Sequence, residues 1–320
     1  MKARPLVSII ITTYNRAAMV GAAIDSALGQ TYPNKEVIVI DDGSEDDTAA
    51  VVETYPQVSF VRLAHAGQAA ARNAGWRRAN GTYIATLDSD DVWQPAFLET
   101  CVDRLERDSL DFVFTNWDQQ TLEGGLMDFF VNDPLLQPYL GRAEDSWVTL
   151  QPTELRDLYV RGCPSPSSSL VLRASSIVSG WNEEMNIADD WCMLLDMILS
   201  KSCMAAMNTQ RLWLKHINCN NIYDGRDHTE VNRLLYVADK QAIMLRHENV
   251  LTKSEYKFME ERYLEHLVRG AKHSLFLDSN ITESMSLMKR AMVLNPVYSA
   301  RVISRLFVQA GIRQFKKDQD

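Results

Sequence analysis

The chain has 320 residues, 46% of them hydrophobic and 23% charged, enough apolar material for one large domain with an extension or for two domains. Its net charge of −9 argues against bulk nucleic-acid binding, and no stretch approaches the roughly 18 consecutive apolar residues that a membrane span requires. Cys101, Cys163, Cys192, Cys203 and Cys219 form no close pairs and hence neither a disulfide framework nor a zinc pattern, and the apolar run Leu6 to Ile11 is too short and β-branched for a signal peptide; a cytoplasmic protein with free thiols is expected.

Leu6 to Thr12 is a β-branched run and reads as a buried strand. Arg16 to Gln30 reads as a helix, Glu36 to Ile40 as a second strand ended by Asp41-Asp42-Gly43-Ser44, and Asp46 to Thr54 as a short helix. Val58 to Leu63 is a third strand, Gln68 to Ala79 an Ala- and Arg-rich helix, and Tyr83 to Leu87 a fourth strand. Such alternation predicts an α/β fold, a mostly parallel sheet with helices on both faces, whose ligands lie beyond the carboxyl ends of the strands. The unusual residues stand at those ends: Thr13-Tyr14-Asn15, Asp41-Asp42 and Asp88 to Asp91. The middle is less regular. Asp111 to Thr115 and Ser167 to Leu172 read as strands, Asn132 to Trp147 as a loop, Asp189 to Ser200 as a helix and Met204 to Lys215 as a hairpin. From about Thr229 the pattern is helical.

Three carboxylates in four residues, Asp88, Asp90 and Asp91, repel one another unless a cation compensates, and Mg²⁺ or Mn²⁺ is commonly shared between such carboxylates and substrate phosphates. Asp91 reads equally well as the cap of a helix starting near Gln94. Asp41 or Asp42 can accept hydrogen bonds from a base or a ribose, or merely form a turn. Arg72 can reach a phosphate or a base carbonyl from its helix, or can be an ordinary surface arginine on an Ala-rich helix. Asp189 and Asp190 open a helix, where one of them can serve as a general base, although acidic residues suit helix starts for electrostatic reasons alone. His216 follows a predicted strand, either as a ligand or as a structural residue. No GxGxxG follows the first strand and no GxxxxGK[ST] occurs, so a dinucleotide or P-loop site has no support.

Taken together, Val7 to Arg16 (VSIIITTYNR), Val37 to Ser44 (VIVIDDGS), Ala71 to Gly75 (ARNAG) and Gly81 to Trp93 (GTYIATLDSDDVW) resemble the family 2 glycosyltransferases of the GT-A fold. The resemblance is close over about the first hundred residues and looser through Asp189-Asp190-Trp191 and Lys215-His216. It implies an inverting transfer of a sugar from a nucleoside-diphosphate donor, most commonly a UDP-sugar, to a hydroxyl of a glycan or lipid-linked acceptor in polysaccharide synthesis, with Mn²⁺ or Mg²⁺ as cofactor. It implies that Thr12, Tyr14, Asp41, Asp42, Arg72, Asp88 and Ser89 bind the donor. Asp90, Asp88 and His216 would form the metal site, and Asp190 or Asp189 would be the base. The family commonly has Glu-Asp where this chain has Asp-Asp, which leaves the base divided between the two.

The expected layout is a GT-A domain over 1–228, with a donor part at 1–115 and an acceptor part at 116–228, followed by a helical extension over 229–320. A sugar-nucleotide pyrophosphorylase would need a glycine-rich basic loop after the first strand, which Thr12 to Arg16 does not provide, and intact Asp88, Asp90 and Asp190 argue against a catalytically inactive nucleotide-sugar-binding protein. Past Pro296, Val297, Val302, Leu306, Val308, Ile312 and Phe315 fall at helical spacing with Arg301, Arg305, Arg313, Lys316 and Lys317 near them. Such a helix either makes peripheral contact with anionic lipid or packs on its neighbours.

Overall fold

A computed structural model describes residues 4–121, 123–217, 223 and 226–305. The chain divides into two compact units, one of Met1–Met185 with Asp189–Asn218 and one of Asn186–Ala188 with Cys219–Asp320.

The first unit is built on one sheet. In chain order its strands are β1 (Val7–Thr13), β2 (Lys35–Asp41), β3 (Ser59–Arg62), β4 (Tyr83–Asp88), β5 (Asp91–Trp93), β6 (Phe112–Gln120), β7 (Leu126–Asp128), β8 (Trp147–Leu150), β9 (Leu170–Arg173) and β10 (Ala205–Lys215). The spatial order is β3-β2-β1-β4-β9-β6-β10-β5, with β7 beside β6 and β8 beside β10. The block β3-β2-β1-β4 is wholly parallel, as the alternation of strands and helices predicts. β1 carries the core, with Val7, Ile9, Ile10 and Ile11 buried, which is why it reads as an apolar run broken only by Ser8 rather than an alternating one. Its register sets Thr13 opposite Asp41 on one side and Thr12 opposite Asp88 on the other, so the polar residues that end three strands meet at one edge of the sheet.

Helix Gln68–Trp76 packs against β1 through Gly75, where an added Cβ would lie 2.5 Å from Ile10 Cγ2. The close approach brings the next inward-facing residue of that helix, Arg72, to the same sheet edge. Helix Asp189–Ser200 has the bounds predicted for it.

Three expectations are corrected. Ser167–Ser169 is a 3₁₀ turn, and only Leu170–Arg173 is strand, because serine hydroxyls bond local groups in competition with a ladder. Met204 to Lys215 is no hairpin but the single strand β10, whose register shifts between Asn208 and Arg211 and again between Arg211 and Leu214 absorb the polar stretch. Asp91 does not cap a helix: it begins β5, paired with Lys215, and the helix starts at Phe97.

In the second unit the helices include Asn232–Asp239, which is π-helical, Lys240–Arg246, Lys253–Phe276 and Ile281–Leu294. Thr252 and Glu255 close a reciprocal cap at the start of Lys253–Phe276. Residues 296–305 are also helical. They pack on this unit through buried Val302, through Ser299, whose hydroxyl donates to the Ala291 carbonyl at 2.8 Å, and through Arg305, which meets Glu265 at 2.7 Å. Val297 is exposed, and Leu306, Val308, Ile312, Phe315, Arg313, Lys316 and Lys317 lie outside the described residues. Among the described residues no helix is long and apolar enough to cross a membrane.

Candidate active site

The loop after β1 and the loop after β2 are tied together at the sheet edge. The Asp42 amide donates to Thr13 O at 2.9 Å, the Asn15 amide to Ser44 Oγ at 2.8 Å, and the Glu45 amide to Asn15 Oδ1 at 2.8 Å. Asn15 reaches these partners from a left-handed backbone, φ 51°, which asparagine tolerates better than most residues. Asp41 is fully buried and accepts both the amide and the hydroxyl of Ser44, so its carboxylate shapes the turn. Asp42 accepts the amides of Ala66 and Gly67, each at 2.8 Å, and thereby holds the entry to helix Gln68–Trp76. Tyr14 is partly exposed and stacks on His65 with ring centroids 4.2 Å apart, while His65 Nδ1 lies 2.9 Å from Asp42.

Arg72 is the electrostatic centre of this edge. It is buried, donates to Asp189 Oδ2 at 2.5 Å and to Asp88 Oδ1 at 2.8 Å, and lies 3.8 Å from Asp190 Oδ1. Burial would lower its pKa, but Asp189, Asp190 and Asp88 outweigh burial and hold it well above the ordinary value. Asp189 is fully enclosed, its second oxygen accepting Gln68 Nε2 at 2.8 Å. Burial pushes the Asp189 carboxyl up, with Asp190 and Asp88 adding to the shift and Arg72 opposing it.

On the other side of Asp88, the loop Asp88–Asp91 faces three elements. Asp90 Oδ2 is 3.7 Å from Arg16 Nε, and the Asp90 carbonyl is 2.8 Å from His216 Nδ1. Buried Asp91 accepts the His216 amide at 3.3 Å and the Ser168 hydroxyl at 2.6 Å. Its carboxyl is pushed well up by burial first and then by Asp90 and Asp88. Asp190 accepts the indole N–H of Trp181 at 2.6 Å on one oxygen and the hydroxyl of Ser167 at 2.7 Å on the other. Among the described residues no group of three or more His, Cys, Asp or Glu side chains forms a cage for a metal ion.

Residues 8–145 match the family described as Glycosyl transferase family 2. Over these residues the chain resembles the family 2 glycosyltransferases, and the first unit, which contains them, has the GT-A fold. The chain is 37% identical over 140 residues to chondroitin synthase of Escherichia coli, covering 42% of this chain and 20% of that protein. It is 35% identical over 136 residues to TuaG of Bacillus subtilis, a putative teichuronic acid biosynthesis glycosyltransferase, covering 41% of this chain and 54% of that one. The chain thus spans about half the length, or less, of these curated relatives. Among solved structures, S. aureus TarS 1–349 in complex with UDP-GlcNAc matches with a TM-score of 0.65 at 15% identity, covering 96% of this chain and 91% of that one. The mannosyltransferase PcManGT of Pyrobaculum calidifontis, in complex with GDP-Man and Mn²⁺, matches at 0.57 with 16% identity, covering 99% of this chain and 82% of that one.

Within the first unit, the residues singled out from the sequence gather at the sheet edge: Thr12, Tyr14, Asp41 and Asp42 at the ends of β1 and β2, Asp88, Ser89 and Asp90 after β4, Arg72 beside them, and His216 against the Asp90 carbonyl. Asp189 and Asp190 reach the same place through Arg72. Sequence reasoning missed Ser167, Ser168 and Trp181, the partners of Asp190 and Asp91. The only available signal was a run of three serines between Pro164-Ser165-Pro166 and the apolar Leu170 to Leu172, which breaks a strand pattern.

Proposed function

We propose that the chain is an inverting glycosyltransferase that moves a sugar from a nucleoside-diphosphate donor, a UDP-sugar in the first instance, to a hydroxyl of a glycan or lipid-linked acceptor in surface polysaccharide synthesis. One observation carries the reading: a single buried guanidinium, Arg72, bonds Asp88 of the donor-side loop at 2.8 Å and lies 3.8 Å from Asp190. A carboxylate suited to a diphosphate-bound cation and a carboxylate suited to proton removal are thereby held in one small space. Residues 1–115 would supply the donor side and 116–228 the acceptor side. The names of the relatives support the reading, since WfaP of Escherichia coli is described as a UDP-Glc-dependent β-1,3-glucosyltransferase acting on a diphosphoundecaprenol-linked sugar.

Asp88 and Asp90 are hard oxygen donors on one loop, and Asp88 is about one-third exposed, with its side chain 35% accessible. Two carboxylates completed by diphosphate oxygens are an ordinary setting for Mg²⁺ or Mn²⁺, so the donor set fits. Asp90 and Asp88 would hold the ion, with His216 at the same loop. When bound, the ion supplies neutralisation of the charge that develops on the diphosphate leaving group. Tyr14 would stack on the base, Thr12, Asp42 and Ser89 would line the nucleotide on the turn that buried Asp41 shapes, and Arg72 would add positive charge toward the diphosphate.

Asp190 is assigned as the base because Asp189 is fully buried and ion-paired to Arg72 at 2.5 Å, whereas the Asp190 side chain is 14% accessible. The Asp190 carboxylate removes the proton of the acceptor hydroxyl as that oxygen attacks the anomeric carbon from the face opposite the departing nucleoside diphosphate. One displacement inverts the configuration. For a lipid-linked acceptor, Arg313, Lys316 and Lys317 would meet anionic headgroups at the cytoplasmic face of the membrane.

The test is titration calorimetry of UDP-sugars and GDP-sugars with and without Mn²⁺, followed by NMR of the transferred anomeric centre. Mn²⁺-dependent binding of one nucleotide sugar and inversion at its anomeric carbon are expected. Absence of nucleotide-sugar binding under either condition, or retention of configuration, overturns the reading.

A further inference from the structure

We infer that Ser167 and Trp181 are positioning residues that aim the Asp190 carboxylate, and that the 3₁₀ turn Ser167–Ser169 ties this aim to the Asp88–Asp91 loop. The inference rests on Asp190 being the base, as proposed above.

Each oxygen of Asp190 receives one short hydrogen bond from a neutral donor, Trp181 Nε1–H at 2.6 Å and Ser167 Oγ–H at 2.7 Å. Rotation of the carboxylate about its own bond would break both contacts at once. A carboxylate has about four lone-pair sites, so these two donors leave acceptor capacity for a substrate hydroxyl. Both donors are neutral, so they fix direction without adding to the positive charge that Arg72 already places 3.8 Å from Asp190 Oδ1.

Both donors are themselves immobilised. Trp181 is 1% exposed, and Asn73 grips its backbone from both sides: the Trp181 amide donates to Asn73 Oδ1 at 2.9 Å and Asn73 Nδ2 donates to Trp181 O at 2.7 Å. The preceding Gly180 has φ +70° and no room for a side chain, since a Cβ would stand 2.6 Å from that same Asn73 Oδ1. Ser167 is 1% exposed, and its carbonyl accepts the Thr86 hydroxyl of β4 at 2.8 Å.

The next residue of the turn faces the donor side. Ser168 Oγ donates to Asp91 Oδ2 at 2.6 Å and accepts the Asp88 amide at 3.0 Å, while its carbonyl accepts the Trp93 indole at 2.7 Å. Successive residues of a 3₁₀ turn point about 120° apart. Two neighbouring hydroxyls therefore serve two different carboxylates, and the separation between base and donor loop is set by a single peptide unit.

The test measures steady-state transfer and donor affinity for Ser167→Ala, Trp181→Phe and Ser167→Thr, each alone and on the Asp190→Asn background. Loss of one aiming hydrogen bond is expected to lower kcat about ten-fold, with KM and the calorimetric Kd for the donor unchanged. Ser167→Thr keeps the hydroxyl and is expected to recover most of the loss. On the Asp190→Asn background neither Ser167→Ala nor Trp181→Phe is expected to cost more, because both act through a carboxylate already removed. Trp181→Phe keeps the buried ring and serves if Ser167→Ala fails to fold. Parent kcat in both single variants, or the same fold loss with and without Asp190, overturns the inference. Parent turnover in Asp190→Asn itself overturns the base assignment instead, so the two failures are separable.

Discussion

Arg72 lies among Asp88, Asp189 and Asp190, and its guanidinium compensates the charge of Asp189, which water cannot reach. Replacing it leaves Asp189 enclosed with Gln68 as its remaining hydrogen-bond donor at 2.8 Å. Arg72→Met is therefore expected to lower stability by about 3–5 kcal/mol, read as a fall in the urea midpoint at constant m-value. A midpoint equal to that of the parent would show that Arg72 holds no uncompensated charge. The opposite pattern is expected at Asp90, whose loop ends a strand at the surface of the sheet edge. Asp90→Ala is expected to keep the parent melting temperature within a few degrees, to abolish transfer and to remove the Mn²⁺-dependent part of donor binding. Parent-like donor binding in the presence of Mn²⁺ would remove Asp90 from the metal site. The acidic positions were legible because unusual residues at a strand end are visible within one short window. Ser167 and Trp181 were not, because their significance lies in Asp190, which is 23 residues from Ser167 and nine from Trp181.

At the scale of elements, the contact of helix Gln68–Trp76 with β1 tolerates no side chain at Gly75. Gly75→Ala is expected to push the helix outward against Ile10, at a cost of about 1–3 kcal/mol, and to weaken donor binding through the displaced Arg72. Ile10→Ala on the same chain removes the clashing Cγ2 and is expected to recover part of the donor-binding loss, and failure to recover it would mean that the clash is relieved elsewhere. In the second unit, the His266 ring is stacked on Tyr236 at 4.1 Å and donates through Nδ1 to Asn232 at 3.2 Å. Burial, with Lys240, Arg269 and Arg262 adding to it and Glu265 opposing, pushes this imidazole down to about 3. The unfolded chain takes up a proton near the ordinary value of about 6.5, so between these limits the unfolded state binds more protons than the folded one. Stability contributed by the neutral ring is complete above about pH 6.5 and falls on acidification by up to about 1.4 kcal/mol per pH unit. Urea unfolding at pH 7, 6 and 5 is expected to show this slope in the parent and a flatter one in His266→Gln, and parallel slopes would refute it. The elements of the first half were readable because a parallel strand buried on both faces becomes an apolar run and the helices between are separated by turn residues. β5 and β8 were not, because at three or four residues each they are specified by pairing with the distant β10 rather than by their own pattern, and β7 is a three-residue return strand set by the end of β6.

For the whole molecule, the apolar and basic stretch after Pro296 admitted two readings because a helix that packs and a helix that lies on lipid share the same periodicity. The structure separates the stretch by position. Residues 296–305 carry the packing contacts, with Ser299 fully buried and Arg305 paired to Glu265. Arg313, Lys316 and Lys317 follow beyond the described residues. Two shortened chains distinguish the roles. A chain ending at Asn295 removes the partners of Glu265 and Ala291 contributed by Tyr298, Ser299 and Arg305, and is expected to melt several degrees below the parent. A chain ending at Arg305 keeps those contacts and is expected to melt with the parent, yet to lose sedimentation with vesicles containing anionic lipid, because it lacks the cluster of three basic residues. High salt should release the parent from such vesicles, since attraction of basic side chains to anionic headgroups is screened within about a Debye length. Equal sedimentation of the parent and the Arg305-terminated chain would end the membrane reading and leave residues 296–305 as a purely internal helix.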